Sequence, residues 1–147
     1  MKRYEPQTPR FEERVRESFS RQRLMQTIDA RIQRVLPGEV VIELPFRGDL
    51  TQQHGYLHAG IITSIADTAC GYAALSLMPE DADVLSVEYK INLLSPAQGG
   101  RFIARARVKR RGRNLTVCEA EVLASVGADE EKPVAIMLAT MMAIRER

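Results

Sequence analysis

The stretch HAGIITSIADTACGYAALSLM, running from His58 to Met78, decides how the rest of the chain must be arranged. Ile61, Ile62, Ile65, Ala66, Ala69, Cys70, Ala73, Ala74 and Leu77 recur at helical spacing and cover most of the circumference. A helix that is apolar nearly all round is a buried helix. Ala59, Gly60, Ala66, Ala69, Gly71, Ala73 and Ala74 are small, so whatever packs here comes close to the helix backbone. Pro79 stops the pattern.

What surrounds this helix reads as strands. Downstream, Val84 to Leu94 alternates Leu85, Val87, Tyr89 and Ile91 against Ser86, Glu88, Lys90 and Asn92. Arg101 to Lys109 alternates Phe102, Ala104, Ala106 and Val108 against Arg105, Arg107 and Lys109. Leu115 to Ala124 sets Thr116, Cys118, Ala120, Val122 and Ala124 against Glu119 and Glu121. Val134 to Ile144 is apolar on both faces. Ser95-Pro96 to Gly99-Gly100 and Arg111-Gly112 are the turns between them. Upstream, residues 26 to 35 alternate Ile28, Ala30 and Ile32 against Asp29, Arg31 and Gln33, and Pro37-Gly38 leads into Val40, Ile42, Leu44 and Phe46. Residues 9 to about 24 carry Phe11, Val15 and Phe19 at helical spacing. The class is α+β: an N-terminal helical extension over 1–25, then a domain over 26–147 with one central helix against an antiparallel sheet. One helix cannot cover six strands, so the uncovered faces and the doubly apolar last strand predict association with another chain.

The bulk properties fit this reading. The 147 residues, 45% hydrophobic and 27% charged, suit one folded domain. A net charge of +2 is too small to call for nucleic acid. The N-terminus is polar and Arg-rich without an apolar signal core, and the apolar run from Ala135 to Ile144 is too short to span a bilayer. Cys70 and Cys118 have neither metal-site nor CxxC spacing and read as buried free thiols. The expected setting is cytoplasmic, with no membrane, metal or cofactor.

Asp67 is the anomaly, a carboxylate in the middle of an apolar helix. Either it faces solvent on a polar stripe with Thr63, Ser64 and Gly71, or it is a base poised in a dry cleft. The helix entry, Gln52-Gln53-His54-Gly55-Tyr56-Leu57-His58-Ala59-Gly60, presents free backbone N–H groups at the positive end of the helix dipole. Such groups suit a thioester carbonyl that becomes an oxyanion. His58 and Asp67 are nine residues apart. At 100° and 1.5 Å per residue they lie on opposite sides of the helix and about 13 Å apart along it. A site that uses both ends must draw on two copies of the helix.

Gly55-Tyr56-Leu57-His58-Ala59-Gly60 followed by Ile65-Ala66-Asp67-Thr68-Ala69 resembles the G-x-x-H-G-G and A-D-x-A signature of PaaI-like hotdog thioesterases. Ser86-Val87-Glu88-Tyr89 and Leu94-Ser95-Pro96-Ala97 resemble the strand and turn that follow it. The similarity runs from about residue 26 to 145. It implies a hotdog fold, a curved antiparallel sheet wrapped around the central helix, in a homodimer or homotetramer with acyl-CoA sites at the interface. By position, Asp67 matches the general base or nucleophile, and Ala59 the residue whose N–H polarises the carbonyl from the other subunit. Gln52 falls where an Asn is common, and Ser86 where some members orient water. Gln53, His54, Gly55, His58 and Gly60 complete the substrate-binding entry, with Gln53 or His54 able to stand in for the Asn. Ala59 replaces the first glycine of the pair, which would strain a backbone of positive φ.

Lys109-Arg110-Arg111-Gly112-Arg113 is the sharpest basic cluster. Arg111 and Arg113 are candidates for the CoA phosphates, against the plainer reading of a solvated turn. Tyr56 and Tyr72 line an acyl pocket or pack the core. Hydrolysis of acyl-CoA thioesters is the leading expectation. A non-catalytic acyl-CoA-binding or regulatory module, or a dehydratase or hydratase using His54 and His58, are the alternatives.

Overall fold

The computed structural model describes residues 4–145. The elements are α1 (Phe11–Ser20), α2 (Arg23–Thr27), β1 (Arg31–Leu36), β2 (Glu39–Pro45), α3 (Ala59–Leu75), β3 (Ala82–Leu93), β4 (Arg101–Arg111), β5 (Leu115–Ser125) and β6 (Glu131–Arg145). The strands form one antiparallel sheet in the order β1-β2-β4-β5-β6-β3.

Helix α3 packs against β2, β3, β4, β5 and β6. Five strands at about 4.8 Å are about 19 Å wide, broader than a helix of about 10–12 Å. The sheet must therefore curl around α3 to touch it on so many strands. Small residues make the curl possible. Ala66, Ala69, Ala73 and Ala74 of α3 are fully buried, as are Ala104, Ala124, Ala135 and Ala139 of the facing strands. Phe102, Ile42, Leu44, Ile65 and Met141 fill what remains, each fully buried side chain contributing about 1.5–3 kcal/mol.

The outer face of the sheet follows the alternation closely. Glu119 and Glu121 stand opposite Arg107 and Arg105 on the neighbouring strand, and Arg107 and Lys109 both pair with Glu119. The last strand, apolar on both sides in sequence, buries Ala135, Met137, Ala139 and Met141 and leaves Ile136, Leu138 and Met142 exposed.

Four sequence expectations change. The N-terminal helix is two helices, because Gln22 takes an extended backbone, φ −78° and ψ 100°. Ser20 Oγ has already turned to the Glu17 carbonyl at 2.6 Å, a local bond that competes with helix continuation. The first strand starts at Arg31, not near 26, since α2 runs to Thr27 and Asp29 sits in the left-handed region at φ 59°. Ile28 and Ala30 are buried all the same. The second strand ends at Pro45 and leaves Phe46 outside it and exposed.

The fourth change concerns β3. Its register against β6 shifts between Ser86 and Glu88, leaving Val87 as an extra residue. A bulge of this kind reverses the side-chain phase. Val84 and Ser86 therefore share the helix-facing side with Tyr89 and Ile91, as their partners Ala143, Met141, Ala139 and Met137 show. Simple alternation had put Ser86 on the opposite face from Tyr89.

The N-terminal helices are tied to the far end of α3. Val15 and Met25 are buried, and the Phe19 ring meets Tyr72 edge-on at 6.1 Å. Arg14 donates to the Met78 carbonyl at 3.0 Å and to the Ala82 carbonyl. Gln7 reaches the Leu77 carbonyl at 2.9 Å, and Thr8 donates to Glu80 at 2.7 Å.

Candidate active site

Asp67 is half-buried on the open side of α3. Ser86 Oγ donates to Asp67 Oδ1 at 2.6 Å, the short length expected of a hydroxyl on a carboxylate. The bulge at Val87 is what aims Ser86 there. The hydroxyl also lies 3.4 Å from Met141 Sδ, but its one proton goes to the better acceptor. Asp67 and Ser86 open onto a groove of about 490 Å³ that continues past Ser64 and Gly71 to Tyr72. Asp67 lies on the stripe with Ser64 and Gly71, and that stripe lines the groove.

The entry to α3 is a closed loop. Thr51 and Leu57 form an isolated bridge across it. Gln52 N–H donates to the Tyr56 carbonyl at 2.9 Å and Gly55 N–H to the Gln52 carbonyl at 3.0 Å. Gln52 Oε1 accepts from the backbone N–H of His54 at 2.6 Å and of Tyr56 at 3.3 Å. The amide oxygen of Gln52 thus holds the loop together. Gly55 takes φ +81°, a conformation that side chains resist. Gln53 and His54 stand exposed at the tip, and neither side chain makes a hydrogen bond among the described residues.

His58 lies outside the helix, as its N-cap, with φ −60° and ψ 135°. Its Nδ1 accepts from Gly60 N–H at 2.8 Å, which places the ring proton of a neutral imidazole on Nε2. Gly60 is small for this reason: a Cβ there would stand 3.0 Å from His58 Nδ1. Ile61 and Ile62 N–H both donate to the His58 carbonyl, at 2.9 and 3.3 Å. Among the described residues, Ala59 N–H is the first-turn donor left without an acceptor. Ala59 has ordinary helical geometry, since Asp29 is the one non-glycine residue with positive φ among those described. The strain expected from replacing a glycine at 59 is absent.

Within one chain these parts stay apart. Eight residues separate Ala59 from Asp67, about 12 Å of helix. Arg111 ends β4 and Arg113 lies on the turn to β5, both exposed. Arg111 stands opposite Thr116, which pairs with Met141, which pairs with Ser86. That is three strands across, about 14 Å. Arg111 reaches the Glu5 carbonyl at 3.5 Å.

Other reactive groups are quiet. Burial pushes the Cys118 thiol up to about 12, and burial, then Cys118 and Asp67, push Cys70 up as well, so neither is a thiolate nucleophile at neutral pH. A larger hollow on the outer face of the sheet holds Arg105, Arg107, Glu119 and Glu121. Arg105 pairs with Glu131 and Arg107 with Glu119, and the hollow lies on the far side of the sheet from Asp67. Among the described residues no cluster of His, Cys, Asp or Glu could hold a metal, and no helix is long and apolar enough to cross a membrane.

Known proteins resemble this chain in sequence and fold. Residues 54–130 match the family described as the thioesterase superfamily. The crystal structure of a thioesterase family protein from Silicibacter pomeroyi superposes with a TM-score of 0.90 at 51% identity, covering 92% of this chain and 99% of that one. A Saccharolobus solfataricus protein provisionally assigned as an esterase is 37% identical over 95 residues, 64% of this chain and 66% of its own length. The 1,4-dihydroxy-2-naphthoyl-CoA hydrolase of Listeria monocytogenes is 29% identical over 99 residues, 67% of this chain and 80% of its own.

The two helix glycines should respond differently to alanine. Gly71→Ala meets nothing within 4 Å and should gain up to about 1 kcal/mol from helix propensity. Gly60→Ala should gain nothing, since displacing the His58 cap costs about 1 kcal/mol. Urea denaturation of both variants checks this, and an equal gain in each would show that the cap carries no energy.

Proposed function

Because this chain belongs to the thioesterase superfamily and has its hotdog fold, we propose that it hydrolyses acyl-CoA thioesters at sites shared by two copies. The observation that carries the reading is the Ser86–Asp67 pair at 2.6 Å in an open groove, on the same helix as an unengaged Ala59 N–H.

Ser86 fixes one carboxylate oxygen of Asp67 and leaves the other for water. Asp67 takes a proton from that water as its oxygen attacks the thioester carbonyl. The carbonyl electrons move onto oxygen, where the Ala59 N–H of the second copy receives the charge at the positive end of its helix. The intermediate then collapses, the C–S bond breaks, and the CoA sulfur takes back the proton held by Asp67. The products are a carboxylic acid and a thiol. Attack by Asp67 itself is the other route open to the same geometry.

The second copy is required by the separation of Ala59 and Asp67, and β3 is where it fits. This strand is 12 residues long and ends the sheet. Leu85, Val87, Tyr89 and Leu93 on it are all exposed. A long apolar edge strand invites pairing with its own copy about a two-fold axis. Gln52 and Gly55 shape the entry loop, His58 and Gly60 set the helix start, and Gln53 and His54 reach toward the incoming CoA. Arg111 and Arg113 take its phosphates, joined to the thioester by the long pantetheine arm.

Asp67→Asn should fold normally and lose at least about 10² in kcat, the usual size of general-base catalysis. Hydrolysis at the wild-type rate by folded Asp67→Asn, followed by thiol release, would remove Asp67 from the mechanism.

Ala59→Pro deletes the donor with little cost to the fold. Proline is favoured at the first helical position, and His58 before it already has the extended backbone that proline demands. The expected loss is about 10² to 10³ in kcat. Mixing and refolding Ala59→Pro with Asp67→Asn should restore activity to about a quarter of wild type, since half the dimers are mixed and each holds one intact site. No recovery in mixtures shown to exchange subunits would put both groups in one chain.

Arg111→Ala with Arg113→Ala should raise KM for CoA thioesters and leave kcat little changed, because contacts remote from the carbonyl add uniform binding. The effect should shrink with salt. An unchanged KM at low ionic strength would mark the turn as merely solvated.

A further inference from the structure

The groove that starts at Asp67 has a definite far end, and that end is built by the N-terminal helices. Gly71 lies one helical turn beyond Asp67 on the same face. Nothing stands within 4 Å of where its Cβ would be. Glycine inside a helix is unfavourable, and here neither packing within the chain nor a positive φ calls for it. The absent side chain leaves the groove open above α3. Beyond Gly71 the groove meets a set of linked polar groups. Tyr72 hydroxyl lies 3.2 Å from Ser18 Oγ, Gln22 Nε2 donates to the Tyr72 hydroxyl at 3.2 Å, and Thr68 Oγ1 lies 3.4 Å from Gln22 Oε1. Ser18 of α1, Gln22 in the break between the two helices and Leu24 of α2 line the same groove as Asp67. Burial raises the Tyr72 pKa further above its ordinary value, so this end presents a neutral hydroxyl, an amide and a serine, with the opposite charges of Arg21 and Asp83 also on the groove lining.

We propose that Gly71 and Gln22 determine acyl specificity: the acyl group lies over Gly71 and ends against Gln22, Ser18 and Tyr72. This rests on the thioesterase reading of Asp67. Four residues of helix put Gly71 about 6 Å along from the carboxylate, and the polar wall stands just past it, so the favoured acyl group is compact. Its favoured terminus carries a hydroxyl or oxo group. A methyl end pressed on this wall would bury hydrogen-bonding groups without partners, while a hydroxyl end takes the second amide proton of Gln22 or the serine.

The test is a series of saturated acyl-CoA thioesters from acetyl to octanoyl, together with 6-hydroxyhexanoyl-CoA, run on wild type, Gly71→Ala and Gln22→Ala. Wild type is expected to prefer 6-hydroxyhexanoyl over hexanoyl in kcat/KM. Gly71→Ala should shift the profile toward shorter chains, the longest losing about tenfold more than the shortest, the size of a one-carbon mismatch in a pocket. Gln22→Ala should abolish the preference for the hydroxylated chain. An active wild type whose profile neither variant alters overturns this proposal alone. A wild type inactive on every thioester overturns the thioesterase reading and this proposal with it. A uniform loss in Gly71→Ala, accompanied by a changed oligomeric mass in light scattering, would show that a second copy lies over Gly71 and would also overturn it.

Discussion

The need to bury α3 on nearly every side governs this protein. The helix has no polar face wide enough to meet water, so the sheet must curl around it, and only alanine and glycine let the two surfaces approach closely. The curl has a boundary. Asp67 and Gly71 fall where the sheet does not reach, between the edge strand β3 and the N-terminal helices. The groove at Asp67 is the seam left when one helix is wrapped by a single sheet. That explains how a carboxylate can sit on the most apolar helix in the chain without an opposing charge.

Much of this was legible in the sequence, for physical reasons. The α3 segment announces burial by its composition, and β4 and β5 alternate through their middles, Ala104 to Val108 and Cys118 to Val122, because one face meets alanines and the other meets charges. Asp67 stood out because a carboxylate is costly among such neighbours. The cap on the helix start was less visible. The His58–Gly60 contact depends on an imidazole folding back over the next turn, which no periodicity encodes.

The misplacement of Ser86 has a single cause. Alternation assumes a constant phase, and β3 changes phase at Val87. Ser86 therefore reads as facing away from Tyr89, whereas both face the helix, and only the resemblance pointed to it as a site residue. A different limit hid Ser18 and Gln22. They come from helices far away in sequence, and the break at Gln22 that brings its amide to Tyr72 has no glycine or proline to signal it.

Arg14 holds the N-terminal helices to the end of α3 through the carbonyls of Met78 and Ala82, not through any side chain. Every amino acid has that carbonyl, proline included. Positions 78 and 82 can therefore drift during evolution, limited by the space their side chains fill, without a matching change at position 14. The Arg14 contacts would leave no trace of co-variation, unlike the side-chain contacts of Thr8 with Glu80 and of Phe19 with Tyr72 across the same joint, although their loss would loosen one wall of the groove.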